Sequence, residues 1–327
     1  MLARLLRSLL QALFTLLALL AASFFLTRLA YRNPAAMLAP HNATQESIDS
    51  IANALRLNEP WWQQLWHYFY RGPDIQGAPM GLMNWPPALG YSFRKQAPVT
   101  DLILEKLPAT LSLVLGAALI WFILSTLWGV WAARHQGRWQ DQLTGVLACI
   151  FMSIPVLLSG ILLSYVFFYL LTEAGWPLFP SSGYVALTDN PWQWARHLAL
   201  PWATLVLVQV GVFQRVIRGA VLDVLGHDYI RTARAKGVGE NSVHFRHALS
   251  AALNPIITLG ALEIGTLLGG AIVTETIFGI DGLGRLAISS ALDGDFPVVI
   301  GTTVIAGAGI ILMTSLGDLL VRSRERA

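Results

Sequence analysis

Six runs of this sequence are each long and apolar enough to cross a lipid bilayer: residues 8–27, 109–133, 143–171, 198–216, 255–277 and 298–321. Each reaches the roughly 17–25 residues that a helix needs to span the hydrocarbon. Lipid offers no water to the backbone, so such runs are held to helices, whose amide bonds are satisfied internally. Composition agrees, with 55% hydrophobic and 13% charged residues and a mean hydropathy of +0.56, where a soluble domain carries about a quarter charged residues. The expected fold is an all-α polytopic membrane protein with six transmembrane helices. The first run follows Arg4 and Arg7, as a signal peptide's would. It exceeds the roughly 7–15-residue apolar stretch of such a peptide and ends in Phe24-Phe25-Leu26 rather than at a cleavage site. It reads as an uncleaved first helix.

Orientation follows from the basic residues. With the N-terminus inside, the inner side holds Arg4 and Arg7, Arg134 and Arg138, a cluster from Arg215 to Arg246, and Arg322, Arg324 and Arg326. The two short outer loops hold Arg196 and Arg285 only. The long first loop is exempt from the positive-inside rule, so both termini and the 217–254 loop are expected to be cytoplasmic. The net charge of +3 is too small to suggest nucleic-acid binding, and its placement is more telling than its size. The domain reading is a first transmembrane helix over 1–30, an outer loop with short helices over 31–107, a five-helix core over 108–321 containing the 217–254 loop, and a tail over 322–327.

In the outer loop, Ile48, Ile51, Ala52 and Leu55 share one helical face, and Pro60 opens a second helix with Trp62, Leu65, Trp66 and Phe69 on one side. That aromatic stripe suits either the headgroup layer or the outer ends of the spans. Residues 72–90, rich in Gly and Pro, read as an irregular loop. Pro155 falls near the middle of the third run and predicts a kink, with a pathway or gate role as one reading and simple packing as the other. Asn254-Pro255 reads as a helix start. Gly265 and Gly269 have the spacing that lets another helix approach closely.

Much catalytic chemistry has no candidate. The sequence contains no GxxxxGK[ST], and Gly237-Val-Gly239 is too weak for a dinucleotide site. Of the seven histidines, including His41, only His244 and His247 lie close together at helical spacing. They read as surface residues, and no metal site is expected. Cys149, the one cysteine, reads as a small packing residue. Glu263 is the clearest ionisable group inside a span. It either lines a polar path or hydrogen-bonds a neighbouring helix, whereas Glu275 falls at the outer end of its run.

The positive finding is a water-soluble helix–turn–helix among apolar spans. Asp228 can cap a short helix carrying Tyr229, Thr232, Ala233 and Lys236 on one face, and Gly237 suits the left-handed residue that closes it. Asn241 or Ser242 can cap the next helix, which holds Val243, Ala248, Leu249 and Ala252. Ala233 and Ala235 leave the first helix thin enough to enter a groove, and Arg231, Arg234 and Lys236 flank it. The positive-inside rule alone would also make this loop basic.

The run Asp228-Tyr-Ile-Arg-Thr-Ala-Arg-Ala-Lys-Gly237, with Arg246-His-Ala-Leu249 and Leu253-Asn-Pro255 after it, resembles the EAA loop of ABC importer permeases. The closest resemblance is to the first-subunit type of the dipeptide/oligopeptide/nickel family. Gly90-Tyr-Ser92, Leu107-Pro-Ala-Thr-Leu111, Ser153-Ile-Pro155, Phe179-Pro-Ser-Ser-Gly183, His197-Leu-Ala-Leu-Pro201, Thr274-Glu-Thr-Ile-Phe278, Gly282-Leu-Gly-Arg285 and Asp295-Phe-Pro297 follow the family's order. Departures occur where an Ile-x-Leu-Pro pattern is usual and at Asp281, where proline is frequent.

The resemblance implies a subunit of a bacterial inner-membrane importer, with peptide as the expected substrate, that binds no cofactor and performs no covalent catalysis. ATP and Mg would be held by two soluble ATPase subunits. Asp228, Tyr229, Arg231, Thr232, Ala233, Arg234, Ala235, Lys236 and Gly237 would form the coupling helix. Glu263 and Pro155 would belong to the pathway, and Glu275, Phe278, Gly282 and Gly284 to an outer gate or docking surface. The implied partners are a second homologous permease, an extracytoplasmic substrate-binding protein and the lipid bilayer. Read from the residues alone, an ion-gradient-driven secondary transporter or channel stays open, and within the family so does nickel or another small solute.

Overall fold

The computed structural model describes residues 2–324 apart from 31–34, 37–38, 40–42, 55, 76–77 and 86. His41, Leu55 and Arg326 lie outside the described residues. In chain order the elements are α1 (Leu2–Ala30), α2 (Gln45–Ala54), α3 (Trp61–Phe69), β1 (Gly72–Ile75), β2 (Ala78–Gly81), β3 (Ala88–Leu89), β4 (Tyr91–Ser92), β5 (Ala97–Pro98) and α4 (Val99–Arg134). Then come α5 (Trp139–Ser153), α6 (Val156–Glu173), α7 (Pro191–Leu225), α8 (Asp228–Ala235), α9 (Glu240–Leu268), α10 (Ile272–Ile277), α11 (Leu283–Leu292) and α12 (Phe296–Arg324). Among the described residues, six helices are long and apolar enough to cross a membrane: α1 over Leu10–Ala30, α4, α6, α7, α9 and α12.

Several expected boundaries move. The third apolar run is broken rather than kinked. Pro155 pushes the residue before it out of the helical region, Ile154 is extended at φ −84°, ψ 118°, and the chain restarts as α6. Asn254-Pro255 does not start a helix either, because Pro255 lies inside a helix that begins at Glu240. A π-helical stretch occupies Val243–Ala248 near the start of this helix. The fifth span ends at Leu268, and residues 272–277 form the separate α10.

The chain divides into two compact units, residues 1–110 with 281–311 and residues 111–280 with 312–327. The fold is mostly helical as expected, and the first unit corrects the reading of residues 72–90 as an irregular loop. The 72–90 segment carries an antiparallel sheet of order β1-β2-β3, with Met80 opposite Leu89, and β4 pairs with β5 through Tyr91–Pro98 and Ser92–Ala97. Gly72, Pro73, Pro79 and Gly81 lie within these strands rather than in turns. Leu20, Phe24, Tyr68, Leu89, Val99 and Leu286 share one apolar core, so the outer loop packs on its own unit. Trp62 and Trp66 stay exposed, while Tyr68 is buried.

Asp295 locks this unit. Its carboxylate, 1% exposed, accepts from the Ser92 hydroxyl at 2.5 Å and from the Phe93 and Arg94 amides at 3.2 and 3.4 Å. The Gly90-Tyr-Ser92 and Asp295-Phe-Pro297 motifs are therefore two halves of one contact. In the second unit α7 is the central helix, packed by α5, α6 and α9. Gly129 permits the close approach of α4, since a Cβ there would stand 2.8 Å from Ile217 and 3.0 Å from the Gln214 carbonyl oxygen.

Burial pushes the Asp295 carboxyl above its ordinary range, and the bonds from Ser92 and the two amides pull it back only in part. The folded state therefore holds this proton more tightly than the unfolded chain. The resulting stability is fully present below the unfolded value and is lost as pH rises through the folded one. Asp295→Ala is expected to cost about 1–3 kcal/mol by stranding buried donors. In thermal unfolding of the purified protein the gap to wild type should be wider in acid than at neutral pH.

Candidate functional site

The chain leaves α7 through Gly226 and His227 and turns into α8, a polar helix of eight residues. His227, extended at φ −76°, ψ 149°, is the residue before the helix, and its side chain makes no capping bond. Asp228 is thus the first helical residue rather than the cap. Its backbone carbonyl accepts from the Thr232 hydroxyl at 3.0 Å, and its exposed carboxylate stands 3.5 Å from Arg231. An acid in the first turn still complements the helix dipole.

One residue anchors the helix. Ile230 is fully buried, Ala233 is half-buried, and Tyr229, Arg231, Thr232, Arg234, Ala235 and Lys236 are exposed. The expected face of Tyr229, Thr232 and Lys236 is therefore the outward one. Ile230 was legible as the lone large aliphatic of this stretch, yet the sequence reading passed over it. At the other end the Val238 amide bonds the Ala233 carbonyl at 3.2 Å, the Gly237 amide bonds the Arg234 carbonyl at 2.9 Å, and Gly237 sits at φ +81°. This is a Schellman closure, which requires the left-handed conformation that glycine adopts freely.

The next helix starts earlier than expected, with Gly239 before it and Glu240 first, so neither Asn241 nor Ser242 caps it. Glu240 explains the earlier start. Its two carboxylate oxygens accept from Arg234 at 2.9 and 3.2 Å, tying the end of α8 to the base of α9. Asn241 accepts from Arg134 at 2.5 Å. His244, expected at the surface, is 4% exposed and its Nδ1 lies 2.7 Å from the Glu240 carbonyl oxygen. Val243, Ala248 and Ala252 are buried, and Leu249 is half-buried.

Beside this motif, Asp141 on α5 meets Arg218 on α7 in a two-point pair at 2.5 and 2.7 Å, and the Gly137 amide donates to the same carboxylate at 3.0 Å. The sequence pattern did not single out either residue. Cys149 is exposed, not a packing residue, and its Sγ accepts from Arg215.

The remaining candidates are dispersed. Glu263, half-buried on α9, accepts from Gln209 Nε2 on α7. Pro155 sits at the break before α6. Glu275 and Phe278 are buried in the second unit, and Gly282 and Gly284 are buried at the start of α11 in the first. None of these four presents exposed surface. Among the described residues, no group of three His, Cys, Asp or Glu side chains is placed to hold a metal ion.

Residues 125–327 match the family described as binding-protein-dependent transport system inner membrane component, and residues 1–114 match the N-terminal region of such membrane components. The chain belongs to this family of ABC importer permeases. It is 36% identical to a putative peptide transport system permease protein of Brucella suis, over 98% of this chain and 96% of the relative. It is 31% identical to the dipeptide transport system permease protein DppB of Alkalihalophilus pseudofirmus, over 98% and 97%. Identity to the glutathione transport system permease protein GsiC of an Escherichia coli O6:H1 strain is 34%, over 88% and 86%. The fold is similar to a chain of the MetNI methionine ABC transporter in an inward-facing form, with TM-score 0.55 and 18% identity, covering 69% of this permease and 97% of that chain. Family and spans together make the protein a multi-pass component of the bacterial inner membrane.

The Arg218 hydrogen bonds hold the Asp141 carboxyl below its ordinary range against the opposing effect of burial. That stability is present above the unfolded value and is lost as pH falls through the lowered folded one. Asp141→Asn is expected to cost roughly 1–3 kcal/mol at neutral pH and to remove most of the acid sensitivity of thermal unfolding contributed by this pair. An unchanged melting temperature in the purified variant would contradict this.

Proposed function

We propose that this permease is one half of the translocation pathway of an ATP-driven peptide importer, and that α8 is its coupling helix. The observation that carries the reading is the build of α8: a short exposed helix, held by the single anchor Ile230 and closed by a left-handed Gly237. Such a helix offers its outer face to a partner while its other face stays fixed. The chain binds no cofactor in this reading, because ATP and Mg belong to two soluble ATPase subunits. Movement of those subunits would reach α9 through the short Lys236–Gly239 connection and the Arg234–Glu240 pair. The loop carrying α8 and both termini are cytoplasmic, in keeping with the positive-inside rule.

A second homologous permease completes the path, and a substrate-binding protein delivers cargo to the opposite face. Peptide is the proposed cargo because the relatives carry peptide, dipeptide and glutathione names. Glu263 and Pro155 are assigned to the pathway, and the buried Glu275, Phe278, Gly282 and Gly284 to its outer gate. The neutral Gln209 partner of Glu263 supports this over a proton-driven carrier, which would pair acids with one another or with histidine.

Co-purification of the tagged permease with an ATPase, and peptide uptake in proteoliposomes that needs ATP and the binding protein, test the reading. Uptake by this chain alone, abolished by collapsing an ion gradient, would overturn it. Gly237→Val is expected to cost about 1–2 kcal/mol locally through its left-handed backbone and to lower uptake per ATP hydrolysed by several-fold. A Cβ at this position meets no atom within 4 Å, so normal coupling in the variant would remove α8 from the mechanism. Glu263→Gln should keep ATPase association and alter uptake kinetics, and unchanged kinetics would return Glu263 to packing alone.

A further inference from the structure

At the inner ends of three spans lies a cavity of about 640 Å³ that none of the roles above uses. Arg134 ends α4, Leu225 and Gly226 close α7, and Glu240 opens α9, and all of them line it. Arg134 directly follows the apolar run 109–133 and Arg138 stands just before the run 143–171, which puts this guanidinium side of the cavity at the depth of the lipid headgroups.

Its charge is one-sided. Three guanidinium groups, from Arg134, Arg138 and Arg234, face a single carboxylate, that of Glu240, together with His135 and His244. Glu240 is already held by Arg234 through both oxygens. Of the other acids close to the lining residues along the chain, Asp141 is taken by Arg218, and Asp223 and Asp228 do not line the cavity. Arg134 donates only to the neutral oxygen of Asn241, at 2.5 Å, and Arg138 makes no side-chain hydrogen bond or ion pair among the described residues. Guanidinium groups suit the geometry of a phosphate better than a point charge does.

Two tryptophans that adjoin the lining residues, Trp131 through His135 and Trp139 next to Arg138, point to the source of the phosphate. Trp131 and Trp139 are 40% and 66% exposed, and Trp131 packs on His135 with ring centroids 5.2 Å apart. Exposed tryptophans beside span ends occupy the membrane interface, and basic pockets between transmembrane helices at that level take anionic headgroups. A surface covered by a soluble subunit would have no need of this aromatic flank.

We propose that the cavity binds the phosphate headgroup of an anionic phospholipid, with Arg134 and Arg138 as its ligands. Because α8 supplies one wall through Arg234, the lipid also supports the base of the α8–α9 hairpin. The site does not depend on α8 engaging an ATPase.

The test uses the assembled transporter in mild detergent and native mass spectrometry with added phosphatidylglycerol or phosphatidylcholine. Arg134→Gln with Arg138→Gln is expected to lower phosphatidylglycerol retention at least five-fold and to leave phosphatidylcholine unchanged. A charge-matched control, Arg322→Gln with Arg324→Gln, should retain phosphatidylglycerol as wild type does. If the double variant fails to assemble, Arg138→Gln alone should still lose at least two-fold, since that side chain makes no contact the fold needs. Equal retention by wild type and the cavity variants overturns the proposal, as does an equal loss in the control. Displacement of the lipid by millimolar inorganic phosphate would make this a small-anion site and overturn the lipid assignment. Retention only in permease stripped of its partners would assign the cavity to a protein contact and overturn it too.

Discussion

The lack of water within a bilayer is the constraint from which the rest of this structure follows. A backbone amide left unpaired in hydrocarbon costs several kcal/mol, so each crossing is a helix and each departure from regular helix needs a local remedy. The departures here are few. Ile154-Pro155 divides α5 from α6, π-helical stretches occupy Ser164–Leu170 and Val243–Ala248, and Gly269-Gly270 separates α9 from α10. The break at Ile154-Pro155 holds a residue proposed for the pathway. Regular helix has one solution, whereas a break can be rearranged at lower cost, and this makes the breaks the natural places for movement.

The same constraint sorts the polar groups. Asp295 gathers a hydroxyl and two amides, Asp141 gathers a guanidinium and an amide, and Glu263 takes an amide from the adjacent helix. A buried carboxylate without such partners would be strongly destabilising. The two pairs at opposite ends of the pH response differ in sign for a physical reason. Asp141 faces a cation, which favours its charged form, and Asp295 faces neutral donors within an apolar core, where burial dominates.

At α8 the basic charge matters less than the shape. Arg231 and Lys236 are exposed, and exposed charges contribute little to stability. What fixes the helix is Ile230 beneath it, the Schellman closure at Gly237 behind it, and the two-point Arg234–Glu240 bond to the base of α9. A helix held in this way can move as one piece with the span it leads into.

The sequence by itself determined the six crossings, the short helix with its glycine closure, and the family, because hydropathy over about twenty residues and the need for a left-handed residue are local properties. It also placed Glu263 and Pro155 at unusual positions, without fixing what surrounded them. Tertiary structure alone decided the partners. The helix before Asn254-Pro255 continues through the proline, His244 is buried, and the 72–90 segment finds strand neighbours. Gly90-Tyr-Ser92 and Asp295-Phe-Pro297 join across some two hundred residues. Arg218 and Asp141, or Arg234 and Glu240, look like ordinary charges along the chain. Which of them meet depends on how helices cross and which side chains are withdrawn from water, and sequence spacing does not encode that between elements.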